Sequence, residues 1–281
     1  MLKEIALQIQ DKFPGIFKEI YSKYVEEQRL NEDIQLIDEL ASFVLLGGKR
    51  VRPLFLFLGS VNGEEIKIPQ KENPFWNFAV GLELVHAGML IHDDIMDSGK
   101  MRRGAECMHK KIGTDRAIIL GDIAWSAGYD IMLRAGTDAE KKVEIIQQFL
   151  SAALMTGIGQ DMDIMFRDKK NLTRSEIEEL YKMKTAAYSF TAPLMMGALL
   201  QEDEELRGAF GPIGNLFGIL YQLADDTRDH KKEISVLSKI DIDKDQWRTE
   251  TMQCLQREID EAPTSNMVKK MLREAVTLVY A

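Results

Sequence analysis

The sequence predicts an all-α protein, and three observations predict it. Prolines number only seven in 281 residues. The stretches between Pro and Gly clusters are long and carry apolar residues three and four apart, as at Ile34, Ile37, Leu40 and Val44. No window of alternating β-branched residues bounded by hairpin turns stands out. Ala186 to Leu200 and Ile213 to Leu223 are apolar on more than one face, which marks helices surrounded by others. One large bundle over residues 1–281, read as a single domain, fits better than two small ones. A chain of this length hides about 75% of the surface its unfolded form exposes.

In order, helices are expected over 3–28, 33–46, 53–61, 75–97, 114–135, 139–166, 174–200, 203–229 and 245–280. Gly47-Gly48 ends the second, where positive φ is needed, and Pro53 suits the first turn of the third. Ser98-Gly99 turns the chain after the fourth, and Pro263 breaks the last. No repeat of solenoid period and no low-complexity segment interrupts them.

The balance of 45 acidic and 36 basic residues gives a net charge of −9, which argues against nucleic acid or an anionic membrane as the main partner. Cys107 and Cys254 match no metal or redox spacing and read as reduced thiols. The amphipathic start MLKEIALQIQDKF lacks signal-peptide architecture. Asp122 and Asp130 interrupt the best apolar run short of the roughly 20 residues a membrane span needs. A cytoplasmic protein without an integral membrane segment is the expectation.

Basic residues nevertheless cluster beside acidic motifs. Lys49, Arg50 and Arg52 lie on the connector entering the third helix, whose free N–H groups favour an anion. Alone, that segment reads equally well as a solvated basic turn. The fourth helix delivers His86 and then Asp93 and Asp97, four residues apart and facing the same way, with Asp94 turned aside by about 100°. Neighbouring carboxylates repel unless a cation lies between them. Hard oxygens at this spacing suit Mg²⁺, which completes its shell with substrate phosphate and water. After the turn, Arg102 and Arg103 can fold back toward the pair, with guanidinium forks that match diphosphate oxygens.

Tyr221 to Asp229 repeats that geometry: an apolar helix presents Asp225 and Asp229 on one face, with Gln222 a turn before. One DDxxD is a weak signal because acidic helix ends are common. Two, each ending a hydrophobic helix, are hard to assign to chance. Gly159-Gln160-Asp161-Met162-Asp163 and Lys184-Thr185 place polar groups in apolar helices, which costs stability unless they are paired or used.

GGKRVRP, the H-DDxxD-RRG block, GQxxD, KT and Q-x-x-DDxxD, in that order over roughly residues 40–229, resemble the trans-prenyltransferase, or polyprenyl synthetase, family. The resemblance implies an isoprenoid synthase-type helical bundle, usually a homodimer, that condenses an allylic diphosphate with isopentenyl diphosphate. It implies Mg²⁺, three substrate-bridging ions, held by Asp93, Asp97, Asp225 and Asp229, with Arg102 and Lys184 on the allylic diphosphate. Lys49, Arg52, His86 and Arg103 would bind isopentenyl diphosphate, and Thr185 and Gln222 would stabilise positive charge near the reacting carbons. Family members with short products often carry an aromatic plug one turn before the first aspartate pair. Gly88, beside Met89, leaves that level open and predicts a product of C20 or longer.

The chain departs from the family after the second aspartate motif. HKKEISVLSKIDIDKDQW has no glycine where a glycine- and lysine-bearing loop is usual, which leaves Lys231, Lys232, Lys239 and Lys244 as candidates for the usual lysines. Two rival readings remain. A class I terpene cyclase would not need the Lys49, Arg52 and His86 site, and a regulatory subunit of a hetero-oligomer would be expected to lose one aspartate motif.

Overall fold

The computed structural model describes residues 1–29, 35–61, 63, 66–228, 236–240 and 242–280, and helices dominate them. In chain order they are α1 (Leu2–Glu27), α2 (Gln35–Leu45), α3 (Val51–Gly59), α4 (Phe75–Met96), α5 (Met108–Lys111), α6 (Thr114–Leu133), α7 (Ala139–Phe166) and α8 (Arg174–Tyr181). A π-helical segment, Lys182–Thr191, leads into α9 (Ala192–Leu200) and α10 (Glu204–Arg228). A 3₁₀ turn at Val236–Lys239 precedes α11 (Lys244–Glu261) and α12 (Asn266–Tyr280). None of these helices is long and apolar enough to cross a membrane. Backbone contacts group the chain into two compact units, residues 4–54 with 68–143, and residues 1–3 with 55–67 and 144–281.

In the first unit, α1 buries Ile9, Phe13, Phe17 and Tyr21 at four-residue spacing, with centroids 6.0 Å apart for Phe13–Phe17 and 5.2 Å for Phe17–Tyr21. Helix α4 has no polar face until its last turns: it is buried from Phe75 to Gly88 except at Asn77. It meets α6 almost backbone to backbone. A Cβ on Gly81 would lie 2.5 Å from Met132 Cγ, and one on Gly88 would lie 2.3 Å from Trp125 Cδ1 and 2.7 Å from the Gly121 carbonyl.

This corrects one expectation. Gly88 does not leave a level open on the side its Cα–H faces, because Trp125 fills that side. The signal lay in small residues on both helices, Gly81 and Gly88 against Gly121 and Gly128, which permit close approach.

After α4 the chain forms a hairpin that the sequence did not reveal. Strands β1 (Met101–Arg102) and β2 (Ala105–Glu106) pair antiparallel. Arg103 and Gly104 make the turn at φ 51° and 80°, the positive values a two-residue hairpin loop requires. With two residues per strand there is no alternation to read.

In the second unit, Phe55 packs edge-on between Phe190 and Phe217, with centroids at 4.8 and 4.9 Å. Helix α8 opens with a capping box in which Thr173 and Glu176 satisfy each other's backbone N–H groups. Where one helix was expected over 174–200, the middle widens into the π segment, and the Ala192 N–H donates to the carbonyl of Ala187 five residues back. Pro193 comes directly after, has no N–H to give, and so removes one constraint on hydrogen-bond register. A second apolar cluster joins Ile177, Leu180, Tyr181, Leu223, Val236, Leu237 and Trp247. The expected break near Pro263 lies between α11 and α12.

Candidate active site

The first unit assembles a cationic group around α4. Gly47 and Gly48 take φ of 101° and 126°, and the bare Gly48 lets the Arg103 guanidinium lie where a Cβ would sit 2.9 Å from Nη2. Arg103 Nη1 donates to the Gly47 carbonyl at 2.6 Å. Arg50 turns inward, donating from Nη1 to Glu83 Oε2 at 2.5 Å and from Nη2 to the Val44 carbonyl at 2.6 Å. Its guanidinium also covers the Phe13 ring at 4.4 Å. Lys49 stays exposed, and its carbonyl accepts from Gln10 Nε2 at 2.9 Å.

His86 is buried in this group. Burial first, then the charges of Arg52, Arg103, Arg102 and Arg50, hold its imidazole well below the ordinary pKa. It is therefore neutral and can donate one hydrogen bond while the guanidiniums supply the charge. Burial and the charges of Arg50, Arg52 and Arg102 lower Arg103 too, with Glu83 opposing. Arginine remains cationic regardless. Arg52, His86, Arg102 and Arg103, singled out from the sequence, thus lie within electrostatic reach of one another.

At the end of α4 the roles of the aspartates separate. Asp94 is buried, and Arg102 donates to its Oδ1 from Nη2 at 2.5 Å and from Nε at 3.0 Å. Arg102 Nη2 also reaches Asp93 Oδ2 at 3.4 Å. Burial works against the Arg102 charge, but the hydrogen bond and charge of Asp94, with Asp93 behind it, leave its pKa raised. Asp93 is half-buried and Asp97 exposed.

The second unit holds the remaining polar residues. A Cβ on Gly159 would lie 2.3 Å from the Lys184 backbone nitrogen, so α7 touches the π segment there. Lys184 Nζ donates to Asp163 Oδ2 at 2.7 Å. Buried Thr185 donates from Oγ1 to Gln222 Oε1 at 2.8 Å, and Gln222 Nε2 donates to Asp226 Oδ1 at 2.9 Å. Tyr181 Oη donates to Asp226 Oδ2 at 2.6 Å. Asp225 is exposed. Asp229, Lys231 and Lys232 lie outside the described residues. Lys239 reaches back to the end of α7, where Nζ donates to the Phe166 carbonyl at 2.7 Å and to that of Arg167. Lys244 is an exposed residue of the first turn of α11.

Glu83, Arg50, Asp94, Asp226 and Tyr181 take part without standing out as site residues in the sequence. Glu83 carried a signal, a lone carboxylate in an apolar helix. Arg50 was one of three basic residues on its connector and nothing ranked it apart. Asp94 is turned aside from Asp93 and Asp97 along the helix, and both Asp94 and Asp226 are held by side chains from other elements, Arg102 and Tyr181.

In each unit the carboxylate chemistry suits Mg²⁺, a hard cation that takes oxygen ligands: Asp97 is exposed at the end of α4, and Asp225 is exposed in the last turns of α10. Among the described residues no three His, Cys, Asp or Glu side chains converge.

The chain resembles a geranylfarnesyl diphosphate synthase of Natronomonas pharaonis, 29% identical over 75% of this chain and 66% of that protein. A geranylgeranyl diphosphate synthase of Methanosarcina mazei is 33% identical over 69% of this chain and 58% of its own. The match thus spans less than two thirds of either relative's length. A crystal structure of geranylgeranyl pyrophosphate synthase from Corynebacterium glutamicum, complexed with isoprenyl diphosphate and magnesium, shares the fold with a TM-score of 0.80 at 22% identity, covering 96% of this chain and 99% of that one. The sequence profile of polyprenyl synthetases matches residues 34–277, and the chain belongs to the polyprenyl synthetase family.

Proposed function

We propose that the chain is a Mg²⁺-dependent prenyltransferase that condenses isopentenyl diphosphate with an allylic diphosphate to give an all-trans product of C20 or longer. One observation carries the reading: a buried His86 amid the charges of Arg50, Arg52, Arg102 and Arg103, on the helix whose last turn carries Asp93. Such a group takes a diphosphate without metal, while the aspartates at the helix end suit one held through metal.

In this reading Lys49, Arg52, His86 and Arg103 bind isopentenyl diphosphate and aim its double bond, a contribution through proximity. Arg102 and Lys184 contact the allylic diphosphate, each from beside a carboxylate, Asp94 and Asp163 respectively. Asp93, Asp97, Asp225 and Asp229 would hold Mg²⁺, three ions in all, which when bound neutralise the departing diphosphate. Thr185 donates its hydroxyl hydrogen bond to Gln222 Oε1, so its oxygen lone pairs remain to face positive charge developing on the allylic carbons. The released diphosphate takes the final proton. The profile match across residues 34–277 runs through both units and supports one functional domain. The protein works in the cytoplasm as a homodimer.

The test is incubation of the protein with Mg²⁺, isopentenyl diphosphate and allylic primers from C5 to C15, with products identified by chain length. Elongation that Asp93→Ala and Asp225→Ala each abolish supports the assignment. No elongation from any primer overturns it.

A further inference from the structure

Asp225 and Asp226 are adjacent, yet their surroundings differ. Asp225 is exposed, whereas both oxygens of Asp226 are taken, Oδ2 by Tyr181 Oη at 2.6 Å and Oδ1 by Gln222 Nε2 at 2.9 Å. Gln222 is one turn back on the same helix and reaches the π segment through the Thr185 hydroxyl, one bond removed from Asp226. Tyr181 comes from the end of α8 and joins Asp226 to another helix directly. Tyr181 is fully buried and lies nearly parallel to the Trp247 ring of α11, centroids 6.2 Å apart at 12°. Trp247 is itself buried beneath the Arg174 guanidinium, 5.0 Å from the ring, and Arg174 is bonded to Glu178 and Glu250.

We infer that Tyr181, clamped by Trp247, is a positioning residue for the second acidic motif: its hydroxyl anchors Asp226 and so sets the rotation of the last turn of α10, from which Asp225 projects. Three features support this. First, the hydroxyl has one task. Burial, and then the charges of Asp226, Asp163 and Asp225, push the phenol far up, so it stays protonated and donates. Second, a helix turn rotates by about 100° per residue, so a small twist at Asp226 carries the neighbouring carboxylate sideways. Third, hydrogen bonds that orient metal ligands govern metal affinity about 10–100-fold, and Tyr181 acts on Asp225 through the adjacent Asp226.

The inference rests on the proposed role of Asp225 as a metal ligand, and the test separates the two. Mn²⁺ binding in the presence of inorganic pyrophosphate is followed by electron paramagnetic resonance, with melting as a check on fold. In the parent protein, Asp225→Ala removes a class of bound Mn²⁺. Tyr181→Phe keeps the stacked ring and is expected to melt cooperatively while weakening that same class roughly tenfold or more. Adding Tyr181→Phe to Asp226→Asn should bring little further loss.

If Tyr181→Phe does not fold, Trp247→Ala carries the test, since it releases the clamp without touching the hydroxyl's partners and should weaken the same ions. Unchanged Mn²⁺ binding in the folded variant, or equal losses in the parent and Asp226→Asn backgrounds, overturns the positioning role. If Asp225→Ala costs no Mn²⁺, the metal role of Asp225 falls and this inference with it.

Discussion

Replacing Glu83 by Leu isolates the contribution of the buried ion pair beneath the arginine group. The Arg50 and Glu83 side chains are 4% and 2% exposed, with Nη1 and Oε2 2.5 Å apart. Leu fits the apolar helix, so the loss is electrostatic: a guanidinium stays buried without its counter-charge, which costs about 3–5 kcal/mol. In a protein of this size that lowers Tm by about 5–8 °C.

Arg50→Met removes the other charge and should also destabilise, in part because the Val44 carbonyl loses its donor. Such a loss costs about 1–3 kcal/mol. The double variant then has neither stranded charge, so it should be more stable than the Glu83→Leu protein. Scanning calorimetry on the four proteins measures the coupling. A Glu83→Leu protein melting within about 2 °C of the parent would refute the reasoning, as would a double variant whose loss equals the sum of the two.

The geometry sets three further outcomes. His86 is held neutral in the folded chain, so below the ordinary imidazole value of about 6.5 the unfolded chain takes up a proton that the folded one refuses. Stability is therefore full above that pH and lost as it falls, and urea melts between about pH 7 and 5 should show a shallower decline for His86→Gln. Gly88→Ala should lower Tm because its Cβ meets Trp125 and the Gly121 carbonyl, a crowding cost of about 1–3 kcal/mol. Adding Trp125→Leu should restore part of it, and an unchanged Tm in Gly88→Ala would place the contact elsewhere. Lys239→Met should destabilise by about 1.5–3 kcal/mol in denaturant titration, the range for hydrogen bonds to a charged group, through loss of its bonds to the end of α7.

The helices were legible because their causes are local. Spacing of apolar residues and the punctuation at Gly47-Gly48, Ser98-Gly99 and Pro263 place most boundaries within a few residues of those observed. Asp225, Lys184, Thr185 and Gln222 stand out in the sequence because each is polar where its helix is apolar.

The features that stayed hidden depend on the partner a residue meets across space. Asp94 and Asp226 look like their neighbours until Arg102 and Tyr181 are seen to hold them. Gly88 reads as a vacancy until Trp125 is seen to fill it. Lys239, a candidate for phosphate contact in the sequence, is bonded to the carbonyls that end α7. A pattern along the chain gives a side chain's direction, and the element opposite decides its use.

The π-helical stretch sets a limit on length changes in this part of the gene. Deleting one residue between Ala186 and Thr191 would let the backbone relax to ordinary i to i−4 bonding, so the fold itself could accept a shorter chain. The same deletion would turn the residues before it by about 100° relative to α9. Lys184 would swing from Asp163, and Thr185 from Gln222, while α9 and α10 stayed in place. A single-codon deletion here is thus expected to yield protein that folds with its polar residues in the wrong phase, which makes this the segment where indel tolerance and retained activity part company.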